Sequence, residues 1–466
     1  MCARDPNNVT ELQTAVHAAL SAWGKAEGDP QDRLDNLILV QERRAAMTGD
    51  LPATLRLATN EVLLACVQEL AQQDSDSASI LTWRFLDGEI VQQVANRLHL
   101  GIDQLKRRQN RAIQALTAIL WQKELDARMV RASQLEALLL PPSYHALFGV
   151  ETPLPKLVEL LHAPHAPWVI AVTGMGGIGK TSLVNAAVRQ IIPHFSYQKI
   201  IWLTVLNAEQ PAMSLTAEWL MSQLAAAVCP LLPATAPPTE RNLQVRQTLK
   251  LFPSLVILDN LETELSADFL TSLHDLSQPS RFVLTNRVRP SGQATVYLFS
   301  LAELPTPAAL ALLRDQARQI GNEALAAASE AELHAIYACT GGNPLALKLV
   351  VGLSQDLALP HVLADLAQVQ TAATGDLYRH IYWQAWQSLS QPAKALLEVM
   401  PLAADSGATP EQLQAISSLE PAQLLPTIQE LIRRSLLEVR GTLNERRYAI
   451  HSLTRTFLLH EISHWP

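Results

Sequence analysis

The sequence has only four cysteines (Cys2, Cys66, Cys229 and Cys339), and no two of them are close enough to form a CxxC pair. This excludes a disulfide framework and a cysteine-based zinc site, and it fits a reducing compartment. No apolar run approaches the ~20 residues that a membrane-spanning helix needs. The first residues, MCARDPNNVTE, lack the apolar stretch of a signal peptide. A soluble, cytoplasmic protein with no membrane contact is expected. Positive charge is not in excess either: 36 Lys and Arg against 44 Asp and Glu give a net charge of −8. A chain that coats nucleic acid over its whole surface is excluded, but a local basic patch is not. What remains is an ordinary globular composition, 48% hydrophobic and 17% charged over 466 residues. By length this is about three domains, and the richness in Ala and Leu predicts a high helical content.

One stretch stands out, WVIAVTGMGGIGKTSLVNAAVRQII from Trp168 to Ile192. Val169, Ile170 and Val172 read as a short buried strand. The turn Gly174-Met175-Gly176-Gly177-Ile178-Gly179 follows, and then Lys180, Thr181, Ser182 and an apolar-periodic helix. This is the GxxxxGK[ST] pattern with a strand before it and a helix after it, the context a phosphate-binding loop requires. Without Cβ atoms the loop can turn its N–H groups onto phosphate oxygens. The helix start adds its unsatisfied donors and positive dipole end. Lys180 is placed to reach the β- and γ-phosphates, and the Thr181 hydroxyl to ligate Mg²⁺.

Upstream, residues 9 to 73 read as two or three helices punctuated at Gly24, Gly28-Asp29-Pro30 and Gly49-Asp50-Leu51-Pro52, and they carry no evident chemistry. Residues 79 to 120 form a second pattern. One helix ends near Asp87-Gly88, a second carries Ile90, Val91, Val94, Ala95 and Leu98, and a tight turn at His99-Leu100-Gly101 leads to a third. That third helix holds Ile102, Leu105, Ala112, Ile113 and Leu116. This suits a helix-turn-helix, and it resembles sigma-factor region four. Lys106, Arg107, Arg108 and Arg111 give the third helix a basic stripe that could meet DNA phosphates or guanine edges. Asp103 stands where a small hydroxyl residue usually faces the phosphate backbone, and a carboxylate there repels DNA. Docking of a protein partner and binding of DNA therefore both remain open for this segment.

Pro141-Pro142 marks a boundary. Beyond the phosphate loop, Lys199–Val205 reads as a second buried strand. Leu255-Val256-Ile257-Leu258-Asp259 reads as a central parallel strand that delivers Asp259 to the sheet edge where ligands bind. Paired with Lys180-Thr181, this acid is a Walker B residue that holds Mg²⁺ partly through water. Asn260 follows it, where fast ATPases of this class commonly place a carboxylate. Glu262 and Glu264 are out of register, so slow hydrolysis is expected. Arg281–Arg287 reads as a further strand, with Thr285 and Arg287 at the same edge to sense or stabilise a γ-phosphate.

The order GMGGIGKT, LVILDN, VLTNR resembles the STAND class of signalling NTPases, specifically the NB-ARC type found in bacterial NLR-like switch proteins. The resemblance covers about residues 145 to 462. It implies a P-loop parallel-sheet domain over 141–300, a small helical domain over 301–372 and a winged-helix domain over 373–466; with the N-terminal all-α helix-turn-helix domain read above over 1–140, the expected fold is a multidomain α/β plus α chain. Gly341-Gly342-Asn343-Pro344 looks like the family's GxP motif, whose proline, here Pro344, helps bind the nucleotide. The winged helix would comprise a helix around Tyr382–Trp386, another through Leu396–Met400, one over Leu424–Leu436, and a wing of Leu437–Val439 paired with Arg447–Ile450. His451 falls at the histidine of the Met-His-Asp motif, which contacts the ADP β-phosphate, although its neighbours Ile450 and Ser452 depart from the motif. Val150 stands where the family's linker usually has Arg. Adenine recognition there is largely by backbone, so ATP and ADP with Mg²⁺ remain the expected ligands.

The resemblance further implies a weak regulatory ATPase that is an ADP-bound closed monomer and an ATP-bound open form able to homo-oligomerise. Output would pass through the N-terminal domain as an adaptor or defence module, or alternatively as a nucleotide-gated DNA-binding regulator. A sensor usually follows the winged helix, so a sensor or effector protein is an expected partner.

Overall fold

The computed structural model describes residues 9–24, 34–47, 51–163, 165–205, 216–261 apart from 231 and 234, 265–287, 296–369 apart from 356, and 379–462 apart from 380, 381, 384, 388, 405, 443 and 444. Gly28-Asp29-Pro30, Gly49-Asp50, Glu262 and Glu264 lie outside the described residues. The chain divides into two compact units, Met1–Gln134 and Leu135–Pro466.

The first unit is all helical: α1 (Val9–Ser21), α2 (Ile38–Ala45), α3 (Leu51–Gln73), α4 (Ser75–Leu81), α5 (Val91–Arg97) and α6 (Ile102–Ala137). Its core gathers Leu20, Leu63, Leu70, Leu81, Leu116 and Leu120. Because α2 begins after Leu37, which offers no side-chain cap, its first N–H groups must find an acceptor elsewhere. Glu124 on α6 supplies one, fully buried and accepting from the N–H groups of Ile38 (3.0 Å) and Leu39 (3.2 Å). Arg128 neutralises that carboxylate one turn on, at 2.7 Å. The capping bonds tie α2 to the long helix.

Between α5 and α6 the chain turns at His99 with φ +54°, a conformation that histidine tolerates better than most residues. Val94, Ala95 and Leu105 pack with Ile80 beneath this turn. Two apolar positions of the sequence pattern do not join that cluster. Ile90 is 62% exposed and Ile102 42% exposed, because Ile90 precedes α5 as its N-cap and Ile102 opens α6.

The second unit opens with α7 (Pro153–His162) and a five-stranded parallel sheet ordered β2-β3-β4-β1-β5. The strands are β1 (Val169–Thr173), β2 (Lys199–Thr204), β3 (Ser254–Leu261), β4 (Arg281–Asn286) and β5 (Tyr297–Ser300). Helices α8 (Lys180–Ile191), α9 (Ala217–Val228), α10 (Pro238–Leu251) and α11 (Ala267–Leu276) connect them. Every residue of β1 and β4 is buried, which is why Val169–Val172 and Phe282–Leu284 read as continuous apolar runs and not as alternating ones. The strand that carries Asp259 is a central parallel strand, flanked by β2 and β4, as its apolar run predicts. One difference is β5, four residues at the edge beside β1, too short for its pattern to register in the sequence. Buried Arg281 donates to the carbonyls of Leu160, Leu161, Ala163 and Ala166, so the last turn of α7 is capped from the sheet.

After the sheet come α12 (Thr306–Gln319), α13 (Glu323–Ala326), α14 (Glu330–Thr340), α15 (Pro344–Leu353) and α16 (Leu359–Val369). Helices Gln391–Val399, Pro410–Ile416 and Pro421–Arg433 follow, then the antiparallel hairpin β6 (Glu438–Gly441) and β7 (Arg446–Ala449), and a last helix Ser452–Phe457. The helix expected around Tyr382–Trp386 lies partly outside the described residues, but Tyr382 is buried and stacks on Phe457 at 5.3 Å. A bridge between Ala408 and Tyr448 joins the hairpin to the start of Pro410–Ile416. Leu313, Leu347 and Val350 share one hydrophobic cluster with Leu396, Leu431 and Leu458. The described parts of these two segments, 301–369 and 379–462, thus share a common core.

Candidate nucleotide site

The phosphate loop leaves β1 at Thr173 and enters α8 through Gly179, which caps the helix with φ +96°. Gly177 also takes positive φ, at +73°, and a Cβ there would meet the Leu345 side chain at 2.7 Å. Only glycine satisfies both conditions. Gly176, Gly177, Ile178, Gly179, Lys180, Thr181 and Ser182 all line one cavity of about 530 Å³, while Gly174 and Met175 form the neck of the loop. The Lys180 ammonium bonds the carbonyls of Gly174 (2.8 Å) and Met175 (2.9 Å), folded back over the loop whose phosphates it would otherwise meet.

Across the loop, Asp259 is 3% exposed at the end of β3. Its Oδ1 accepts from the Thr181 hydroxyl at 2.8 Å and the Thr285 hydroxyl at 2.5 Å. The placement follows from a bulge. The β3–β4 register shifts between Leu258 and Leu261, and Asn260 adopts φ +65°. Its N–H then donates to Thr285 Oγ1 at 2.9 Å, and its side-chain amide to the Val205 carbonyl at 3.3 Å. Burial pushes the Asp259 carboxyl above its ordinary value, only partly offset by the bonds from Thr285 and Thr181. A buried carboxylate beside a hydroxyl is a hard, all-oxygen donor pair that suits Mg²⁺. No cluster of three or more His, Cys, Asp or Glu that could hold a metal occurs among the described residues. The cation would therefore take its remaining ligands from phosphate and water, the usual habit of Mg²⁺.

The rest of the lining comes from elements far along the chain. Arg287 at the end of β4, Pro344, Leu345 and Lys348 on α15, Glu438 and Arg440 on β6, and His451 after β7 all line the same cavity. Burial pushes the half-buried His451 imidazole down to about 4. The Glu438 carboxylate opposes that shift, and Arg287, Lys348 and Arg440 reinforce it. At neutral pH the ring is therefore uncharged and able to donate one N–H. Burial also works against the Glu438 carboxylate, but Arg440 at 2.8 Å, His451 and Lys348 together hold it below the usual range. This part of the lining carries more positive than negative charge.

Val150 and Gly149 line the far end of the cavity with Leu312 and Gln316. The Val150 carbonyl accepts from Leu154 N at 3.0 Å, which ties it to the start of α7. Sequence reasoning missed Lys348, Glu438 and Arg440. Their signals were positional: Lys348 lies one turn after Pro344 on the same helix face, and Glu438 and Arg440 alternate along one face of a strand. In the first unit, Lys106, Arg107, Arg108 and Arg111 are all exposed on α6, as is Asp103.

A parallel sheet with a phosphate loop after β1 and an aspartate at the end of β3 defines a P-loop nucleotide-binding domain. Its type follows from comparison: residues 150–296 match the NB-ARC domain. The chain is similar over 305 residues, at 28% identity, to an uncharacterised WD repeat-containing protein of Nostoc sp. That match covers 58% of this chain and 23% of the relative, so the chain spans about a quarter of that protein's length. Among solved structures it is similar to a STAND protein with a tetratricopeptide repeat sensor from Pyrococcus horikoshii. The TM-score is 0.47 and the identity 20%, with 70% of this chain and 44% of that chain covered. It is also similar to the Aeropyrum pernix ORC1 protein in complex with DNA, with a TM-score of 0.32, 14% identity and coverage of 70% and 96%. No helix among the described residues is long and apolar enough to cross a membrane.

Proposed function

We propose that this chain is an adenine-nucleotide-dependent signalling switch. The observation that carries the reading is the single cavity lined both by the phosphate loop and Asp259 and by Lys348, Arg440 and His451. A nucleotide whose phosphates occupy that space bridges the sheet to the C-terminal hairpin. ADP holds these two parts of the lining together in a closed monomer, and Pro344 packs against it. ATP binds better to a state in which they have separated, and this difference in affinity moves the population. The open form exposes surfaces for homo-oligomerisation.

Hydrolysis is slow in this account. The position after the Mg²⁺-associated acid is Asn260, whose amide is engaged by Val205, so a carboxylate to orient water is lacking there. The segment 373–466 acts as a winged-helix domain whose hairpin carries His451 to the phosphates. The helical unit 1–134 is the output module. Docking of a protein partner is the reading favoured for it, because exposed Asp103 sits beside the basic residues of α6 and would repel a phosphate backbone. A sensor or effector protein completes the pathway.

Replacing His451 with Ala tests the latch. Neutral His451 donates to the ADP β-phosphate in the closed state alone, so H451A should weaken ADP about tenfold, the worth of one such hydrogen bond. ATP affinity should hardly change. Calorimetric titration of both nucleotides with Mg²⁺ measures the ratio, and equal loss for the two would refute the latch.

A further inference from the structure

Asn343 is completely buried between two parts of the site. Its Oδ1 accepts from the N–H groups of Leu345 (3.0 Å) and Ala346 (3.4 Å), which caps α15. Its Nδ2 donates to the Gly176 carbonyl in the phosphate loop at 2.9 Å. One amide therefore spans two functions that no carboxylate could combine, since the first needs an acceptor and the second a donor; a hydroxyl has both, but on one atom too close to the backbone to span the two sites. The approach is close. A Cβ on Gly177 would lie 3.1 Å from Asn343 Oδ1, and a Cβ on Gly342 would meet the Leu304 carbonyl at 2.6 Å. Gly342 in turn accepts from Leu304 N at 3.0 Å, which fixes the turn before Asn343 against the segment that follows β5.

We propose that Asn343 is a positioning residue that couples the phosphate loop to the helical segment behind it, and so sets how long ADP is retained. This rests on the switch reading of the same cavity. The coupling works through geometry. The Gly176 carbonyl is fixed by a side chain rooted in α15, and α15 also carries Pro344 and Lys348 into the cavity. Any shift of the loop that admits a γ-phosphate must stretch this bond or move α15 with it. The loop's state is thereby passed to the helices that share a core with the C-terminal hairpin.

The test separates capping from coupling. Serine caps a helix about as well as asparagine but is too short to reach Gly176. Aspartate also caps, but at pH 8 it has no proton to donate. In Asn343→Ser and Asn343→Asp, release of a fluorescent ADP analogue measured by stopped flow should accelerate about tenfold, in keeping with one lost buried hydrogen bond. The melting temperature of the nucleotide-free protein should fall only slightly in Asn343→Ser, which keeps the cap, and further in Asn343→Asp, which buries a charge, so the release rate of Asn343→Ser is the deciding readout. If the wild-type chain binds and retains the analogue and both variants release it at the wild-type rate, the coupling is overturned while the switch reading stands. If the wild-type chain fails to bind the analogue, the switch reading falls and the coupling with it. A variant that melts early yet releases ADP at the wild-type rate likewise reduces Asn343 to a helix cap.

Discussion

Lys180→Ala should abolish useful nucleotide affinity while leaving the ligand-free fold intact. The ammonium bonds the loop carbonyls of Gly174 and Met175 at the edge of the cavity and is not part of the hydrophobic core, so truncation should leave that core in place. With a nucleotide bound, the same group is the charge that meets the β- and γ-phosphates at the mouth of the cavity. Truncating one partner of a desolvated, hydrogen-bonded charge pair costs about 3 kcal/mol. That corresponds to an increase in Kd of roughly 150-fold. Calorimetry with ADP and with ATP should show comparable losses, because the lysine serves both. The melting temperature without nucleotide should match wild type, and the stabilisation that ligand adds should disappear. Retained affinity would mean that the loop does not hold phosphates.

Asp259→Asn should have opposite effects on stability and on function. The carboxylate is buried and its pKa raised, first by burial, so the folded state disfavours the charge. A group shifted in that direction contributes its stability below the unfolded value near 3.8 and loses it as pH rises through the folded value. Burial thus makes the ionised carboxylate costly in the native chain, a cost that a bound cation would relieve. Asparagine keeps an oxygen to accept from Thr181 and Thr285. D259N should accordingly raise the nucleotide-free melting temperature by a few degrees, about 1 kcal/mol. Its stability should also lack the loss that the wild-type chain shows as pH rises through the folded value of Asp259. Mg²⁺-supported ATP turnover, which needs the anion, should fall on the order of 10²- to 10³-fold. Thermal unfolding across pH, together with phosphate release, checks both halves. A variant less stable than wild type at pH 7 would contradict the electrostatic argument.

How much of this could be read from the sequence depended on whether the physics was local. The phosphate loop and the strand ending in Asp259 were legible because strand, turn and helix follow one another within a few residues and impose fixed glycine positions. The parallel strands β1 and β4 were legible for a related reason: burial on both faces leaves an unbroken apolar run. β5 was not, because four residues with a half-exposed face carry too little pattern. The rest of the lining was legible only in part. His451 and Pro344 could be sought because a family motif names them, whereas Lys348, Glu438 and Arg440 carry only a positional signal, a shared helix or strand face, that does not by itself mark them as cavity residues. Their meeting is set by the packing of α15 against the hairpin, a tertiary fact. Asn343 illustrates the same limit. As Asn-Pro it reads as a helix start, which it is, and only the 2.9 Å contact to Gly176 gives it a second role. The bulge at Asn260 was equally hidden. It orients Asp259 through a side-chain bond from Thr285, which strand periodicity does not encode.

The central claim is that one cavity discriminates ADP from ATP and converts the difference into a change of state. Size-exclusion chromatography with light scattering tests it most directly, using the chain saturated with Mg²⁺ and either ADP or a non-hydrolysable ATP analogue. The account predicts a monomer with ADP and a defined larger assembly with the analogue, with Lys180→Ala monomeric under both conditions. An identical mass with either nucleotide, at saturating occupancy of the wild-type chain, would contradict it.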